Sequence, residues 1–191
     1  MTPVPAPTPP RPRNADRTRE DILRAACHAF SVHGYAQATV RQIASDAGIN
    51  VALVIRYFGS KEGLFEAALL ESLDIDRLIA GDRNAFGDRL AHLLTNASGD
   101  SPNPLAMMLL ATSDIAARAV TLKRLTTHVT VPLARWLRGR NARERAVRIT
   151  MLSSGYLTYQ LLLPVADRSA ADVSATREWL ANALQDQVDC R

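Results

Sequence analysis

The residues whose types and spacing could do chemistry fall between positions 39 and 61. Arg41 carries a planar guanidinium, a fork that can bridge paired acceptors such as O6 and N7 of guanine, a contact worth roughly 1–3 kcal/mol of discrimination. Lys61 follows the capping residue Ser60, so its ammonium would stand in the first turn of a helix. A cation there is disfavoured by about 0.3–1 kcal/mol, and a phosphate sharing the helix N-terminus would reverse the sign. Between the two, small Ala44 is followed at +4 by Gly48 and at +10 by branched Val54. A helix-turn-helix needs that set: Ala44 for close approach, Gly48 for the positive φ of the turn, Val54 to plug the joint. Catalysis has no comparable case. The chain has no Gly-rich phosphate loop, no His and carboxylates at metal-ligand spacing, and suggests no Ser, His and acid arrangement. Cys27 and Cys190 make neither a disulfide framework nor a zinc site. No cofactor is expected.

Helices must position these residues. From Asp16 to His33, Ile22, Ala26 and Phe30 recur every fourth residue with Leu23 beside them, the period of an amphipathic helix. Gly34 stands where a C-cap belongs. Thr39 and Gln42 have capping-box spacing and open a second helix whose inward stripe is Val40, Ile43, Ala44 and Ala47. Arg41 falls on its outer face. Asn50 caps a short third helix with Val54 and Phe58 inward, and Ser60 caps a long fourth that is predicted to reach about Ala80. Further helices are predicted over 83–97, 105–117, 119–138, 142–163 and 170–188. Pro132 should kink the third of these by removing a backbone donor. No stretch alternates with period two, so the fold class is all-α.

The 191 residues, 47% hydrophobic and 22% charged, suit an ordinary globular chain with a substantial core. No apolar run approaches the ~20 residues of a membrane span, and no apolar segment of a secretory signal follows Met1. Cytoplasm without membrane contact is the expectation. The net charge of +4 permits contact with nucleic acid. Twenty-one of the 23 cations are arginine, which reflects either phosphate and guanine binding or the codon bias of a GC-rich genome. Residues 1–15 form a Pro/Arg-rich tail expected to be disordered, either a solvated leader or a basic arm that reaches DNA.

Taken together, Ile22, Ala25, Ala26, Phe30, Gly34 and Tyr35, then Thr39, Val40, Ile43, Ala44, Ala47, Gly48 and Ile49, then Tyr57, Phe58, Lys61, Glu62 and Leu64 resemble the DNA-binding domain of the TetR family of bacterial transcription regulators. The resemblance covers about 50 residues. It implies a helix-turn-helix domain over 16–62 and a helical domain over 63–191 for effector binding and dimerisation. It implies a homodimer on a near-palindromic double-stranded operator, most often a repressor that a small molecule releases. By that resemblance Thr39, Tyr57 and Lys61 contact phosphates. Base readout should come from Arg41, with Gln42 beside it, and from Asn50, Val51, Leu53, Ile55 and Arg56 of the recognition helix. Ile55 stands where the family commonly has an aromatic and Asn50 where serine is frequent. The recognition helix is therefore short of hydrogen-bonding side chains, and its branched apolar groups match thymine methyls.

In the second domain, Leu69, Leu73, Phe86, Leu90, Leu94, Met107, Met108, Leu110, His128, Trp136, Tyr156 and Tyr159 are candidates to line an effector pocket, or else ordinary core. The set favours an apolar or aromatic effector. Residues 146–163 are apolar nearly all round and must be covered on more than one face. Leu152, Gly155, Tyr156, Trp179, Leu180, Leu184 and Val188 are the expected dimer interface, packed across a two-fold. The six arginines between Arg135 and Arg148 read as a solvated helix junction. An architectural DNA binder without effector and a helical enzyme are the alternative readings.

Overall fold

The structure, a computed structural model, describes residues 12–96, 102–163 and 169–190. Helix α1 (Pro12–Gln37) starts four residues before the expected Asp16 and breaks at Gly34, whose φ of 71° and ψ of 171° no β-carbon-bearing residue adopts readily. Residues 1–11 of the Pro/Arg-rich tail lie outside the described residues. Short α2 (Val40–Asp46) and α3 (Val51–Phe58) follow, then α4 (Lys61–Ser72). The long fourth helix of the sequence reading is two: α4 stops at Leu73, and Asp74 caps a separate α5 (Ile75–Ala80) by accepting from Arg77 N–H.

Helix α6 (Phe86–Thr95) and α7 (Pro104–Leu110) come next. The expected helix over 105–117 ends early because Asp114 accepts from Ala117 N–H and starts α8 (Ile115–Arg124). Pro132 produces a π-helical turn over Leu125–Thr130 in place of the expected kink, and α9 (Val131–Leu137) runs on from it. The Val131 N–H reaches back five residues to the Thr126 carbonyl. A proline has no donor for the ordinary ladder, and widening the turn just before it absorbs that loss. Helices α10 (Ala142–Leu161) and α11 (Ala170–Asp189) complete the fold; no strand occurs among the described residues.

Two cores hold these elements. Ile22, Phe30, Tyr35, Ile43, Val54, Phe65 and Leu69 from α1–α4 are buried together with Met107 and Met108 of α7. Phe30, Tyr35 and Phe65 stack edge and face around one point, with ring centroids 5.1–6.0 Å apart. The second core joins Phe86, Leu90 and Leu94 of α6 to Leu133, Leu137, Ile149, Leu157, Leu180, Leu184 and Val188. Leu105 packs against both. Packing thus crosses the boundary expected at residue 62: α4 and α7 complete the core of the N-terminal head.

Candidate nucleic-acid interface

The joint between α2 and α3 explains the head. Ala44 and Val54 are each 1% exposed, so the small residue and the plug meet in the interior. Gly48 has φ 68°. Its N–H donates to the Ser45 carbonyl at 3.0 Å, and Ile49 N–H donates to Ala44 at 2.9 Å, the paired bonds of a Schellman stop. Thr39 Oγ1 accepts from Gln42 N–H at 3.1 Å, Asn50 Oδ1 from Leu53 N–H at 2.9 Å, and Ser60 Oγ from Gly63 N–H at 3.1 Å. Each short helix therefore has its N-terminus satisfied by a side chain. The Thr39 capping box is only half formed. The Gln42 carboxamide turns forward, its Nε2 donating to Asp46 Oδ1 at 2.7 Å.

These stops leave one face of the head outward. Thr39, Arg41, Gln42, Asn50, Val51, Ile55 and Arg56 are exposed, while Leu53, Tyr57 and Lys61 are half-buried at its margin. Leu53 thus sits on the flank of α3, and Ala52, which the sequence reading passed over, is exposed beside Val51. The Lys61 ammonium lies 4.3 Å from the centre of the Tyr35 ring. That contact holds the cation at the start of α4 at low entropic cost. The Tyr35 phenol also bonds Glu62; burial first, then that carboxylate, pushes its ionisation far up and keeps it neutral. Arg19 of α1 lies over Phe58, 5.6 Å from the ring centre. Among the described residues Arg41, Arg56 and Lys61 make no ion pair.

Away from the head, a cavity of about 1150 Å³ is lined from α5, α6, α9, α10, α11 and the start of α7. Of the expected pocket residues, Leu73, Leu90 and Leu94 line it. Leu69, Met107 and Met108 are instead sealed in the head core, where the Ser72 hydroxyl lies 3.2 Å from Cys27 Sγ and 3.9 Å from Met107 Sδ. Leu110 is half-buried close over Gly34. Phe86 and Trp136 pack on each other, centroids 5.0 Å apart. His128 meets Arg124 (2.9 Å), which is bonded in turn to Glu66 of α4. Tyr156 is half-buried against the second core, and Tyr159 is exposed. The charged side chains Arg77, Asp88, Arg177 and Glu178 line the cavity unforeseen, because a charge on an amphipathic helix reads as a solvated face.

Of the expected interface, Leu180, Leu184 and Val188 point into their own core, at most 2% exposed. Leu152 and Tyr156 are half-buried. Gly155 and Trp179 are exposed, and a β-carbon on Gly155 would meet nothing within 4 Å. Met151 and Tyr159 flank Gly155 on the same face of α10, 65% and 60% exposed. The arginine-rich junction is also not wholly solvated. Arg145 is 3% exposed and donates to carbonyls at the ends of α9 and α11, Leu137 and Arg138 on one side, Gln187 and Val188 on the other.

Two short helices joined by a Schellman stop, the second presented outward among cations that make no ion pair among the described residues, define a helix-turn-helix fold. Comparison with known proteins then gives the family. Residues 22–68 match the profile of "Bacterial regulatory proteins, tetR family", and residues 84–188 match "Tetracyclin repressor-like, C-terminal domain". The second match alone spans more than half of the chain, which therefore belongs to the TetR family of transcriptional regulators. The chain is 37% identical over 71 residues to the HTH-type transcriptional regulator BetI 2 of Chromohalobacter salexigens, covering 37% of this chain and 34% of that protein. It is 44% identical over 59 residues to the HTH-type transcriptional repressor NicS of Pseudomonas putida, 31% of this chain and 28% of that one. These matches span about a third of the relatives' length. Among solved structures, NalD of Pseudomonas aeruginosa, the secondary repressor of the MexAB-OprM multidrug efflux pump, superposes with a TM-score of 0.65 at 17% identity over 91% of this chain and 97% of that one. A transcriptional regulator of Saccharomonospora viridis in complex with choline gives 0.62 at 22% identity, covering 87% and 95%. At these identities the likeness shows the fold.

Proposed function

We propose that the chain acts as a homodimeric repressor whose paired heads bind a near-palindromic operator in double-stranded DNA and let go when a small molecule fills the cavity. The observation that carries this reading is the outward face of the head, where Arg41, Arg56 and Lys61 form no ion pair among the described residues and stand beside a capped recognition helix. Thr39, Tyr57 and Lys61 hold phosphates and fix the register; Arg41 and the outward residues of α3 read bases. Repression as the sign is favoured by the repressor NicS among the relatives.

The cavity supports an effector over a purely architectural role. Its wall includes Ser72, Leu73, Asp74 and Ile75, the break between α4 and α5, so an occupant touches the helix whose other end carries Lys61. The occupant has an apolar or aromatic body, set against Leu73, Leu78, Leu90 and Leu133, and polar groups that meet the charges of both signs around it. Dimerisation uses the exposed faces of α10 and α11, with Gly155 letting two helices approach. An effector that favours dimers with heads too far apart for one turn of DNA, about 34–36 Å, releases the operator. It does so only by its differential affinity for the two states, typically 1–3 kcal/mol. No catalytic role is assigned.

Selection of bound duplexes from a random pool, followed by a search for small molecules that release them, tests this. Enrichment of a two-fold sequence and release by a compound that also raises the melting temperature support it. A protein that enriches no sequence contradicts the operator, and one whose operator no ligand weakens contradicts the effector.

A further inference from the structure

The recognition face is apolar where side chains with hydrogen-bonding ends would be expected. Val51 and Ile55 are 38% and 42% exposed, and Ala52 stands exposed between them. The carboxamides nearest to them are already engaged. Asn50 Oδ1 accepts from Leu53 N–H, and Gln42 Nε2 donates to Asp46. A bidentate pair with adenine needs both the donor and the acceptor of one carboxamide, so each of these would have to share or give up its present partner to make one. What the face offers is two free guanidinia, Arg41 and Arg56, around a patch of methyl groups. In the major groove the apolar feature complementary to methyl groups is the thymine 5-methyl. Spacing agrees. Val51 and Ile55 are one turn apart, about 6 Å along the helix axis, close to the ~7 Å spanned by two base steps on one strand.

Resting on the operator reading above, we propose that Val51, Ala52 and Ile55 are specificity-determining residues that read the 5-methyl groups of thymines on base pairs up to about two steps apart in each half-site. Leu53, half-buried on the flank, takes no part. Guanine readout falls to Arg41 and Arg56, with Gln42 and Asn50 secondary because each carboxamide is already bonded within the head.

The test uses the full chain and a duplex selected from random DNA. Thymines in each half-site are replaced one at a time by uracil, which removes only the methyl group. The expected loss is about 4-fold per methyl read, the value of one buried methylene-sized group. Placing 5-methylcytosine·guanine at such a position should bind more tightly than cytosine·guanine. Ile55→Ala should bind thymine and uracil duplexes alike at the position it reads; exposed in the free head, Ile55 is not needed for folding, which a melting curve of the variant checks. If every uracil duplex binds as tightly as its thymine parent while selected binding persists, methyl reading is overturned and the operator reading stands. If no duplex is selected, the operator reading falls and takes this inference with it.

Discussion

Arg145→Met should unfasten the far end of the second domain. The guanidinium is nearly sealed from water and joins the last carbonyls of α9 to those of α11. Helix C-termini carry negative partial charge, so a cation there is stabilised without a carboxylate. Arg83 stands beside it, donating to Trp136 at 3.0 Å, Leu137 at 3.0 Å and Val188 at 3.2 Å. Removing Arg145 therefore leaves Leu137 and Val188 with a donor, while the Gln187 and Arg138 carbonyls lose theirs. Arg138 is exposed, so water takes up its carbonyl; the half-buried Gln187 carbonyl costs ~1–3 kcal/mol, less the relief of no longer burying a charge whose Nε has no partner, which leaves about 1–2 kcal/mol. For a chain of this size that lowers Tm by roughly 2–8 °C. Scanning calorimetry at one fixed protein concentration reads it, because any dimer makes Tm concentration-dependent. Arg145→Lys should fall between, since one ammonium cannot span both helix ends, and exposed Arg143→Met should not move. Arg145→Met melting within a degree of the parent would show that the two helix ends need no cation between them.

Gly34→Ala meets two obstacles, a positive φ and a β-carbon 2.9 Å from that of Leu110. A loss of roughly 2–4 kcal/mol is expected from the strain and the forced shift of α7, measured by urea unfolding. Lys61→Met removes one phosphate contact per head, so the slope of log K against log salt should become shallower by about 2 per dimer. Glu62 has its carboxyl held below the ordinary range by its own backbone N–H first, then by the hydroxyls of Ser60 and Tyr35. A depressed folded value means stability present above the unfolded value of about 4.3 and lost as pH falls through the lower one. The gap between the parent and Glu62→Gln should then be flat near neutrality and shrink below about pH 4, followed by thermal melts at several pH values.

What was legible in the chain was local. Ala44, Gly48 and Val54 announce their joint because the turn they make spans eleven residues, and Asn50 and Ser60 declare helix starts that need no distant partner. The break at Leu73 was illegible since neither Gly nor Pro marks it; Asp74 and Asp114 act as caps where they could as well have been surface charges. Longer-range outcomes inverted some expectations. Met107 and Met108 have the adaptable bulk of a pocket lining, yet α7 tucks beneath α1 and spends both on the head core. Arg77, Asp88, Arg177 and Glu178 look like solvated faces and do stay exposed, yet they also stand on the wall of the cavity. Leu180, Leu184 and Val188 are apolar enough for an interface, but α6 covers them first. Periodicity says which face is apolar and is silent on which neighbour claims it.

The most direct test of paired heads on one duplex face is the dependence of affinity on half-site spacing. With a selected operator in hand, five base pairs inserted between its halves rotate one half-site by about half a turn, and ten restore its face. Two chains per duplex should be bound on the parent, with affinity lost at five added base pairs. One chain per duplex, or equal affinity for the parent and the five-base-pair insertion, would contradict the account.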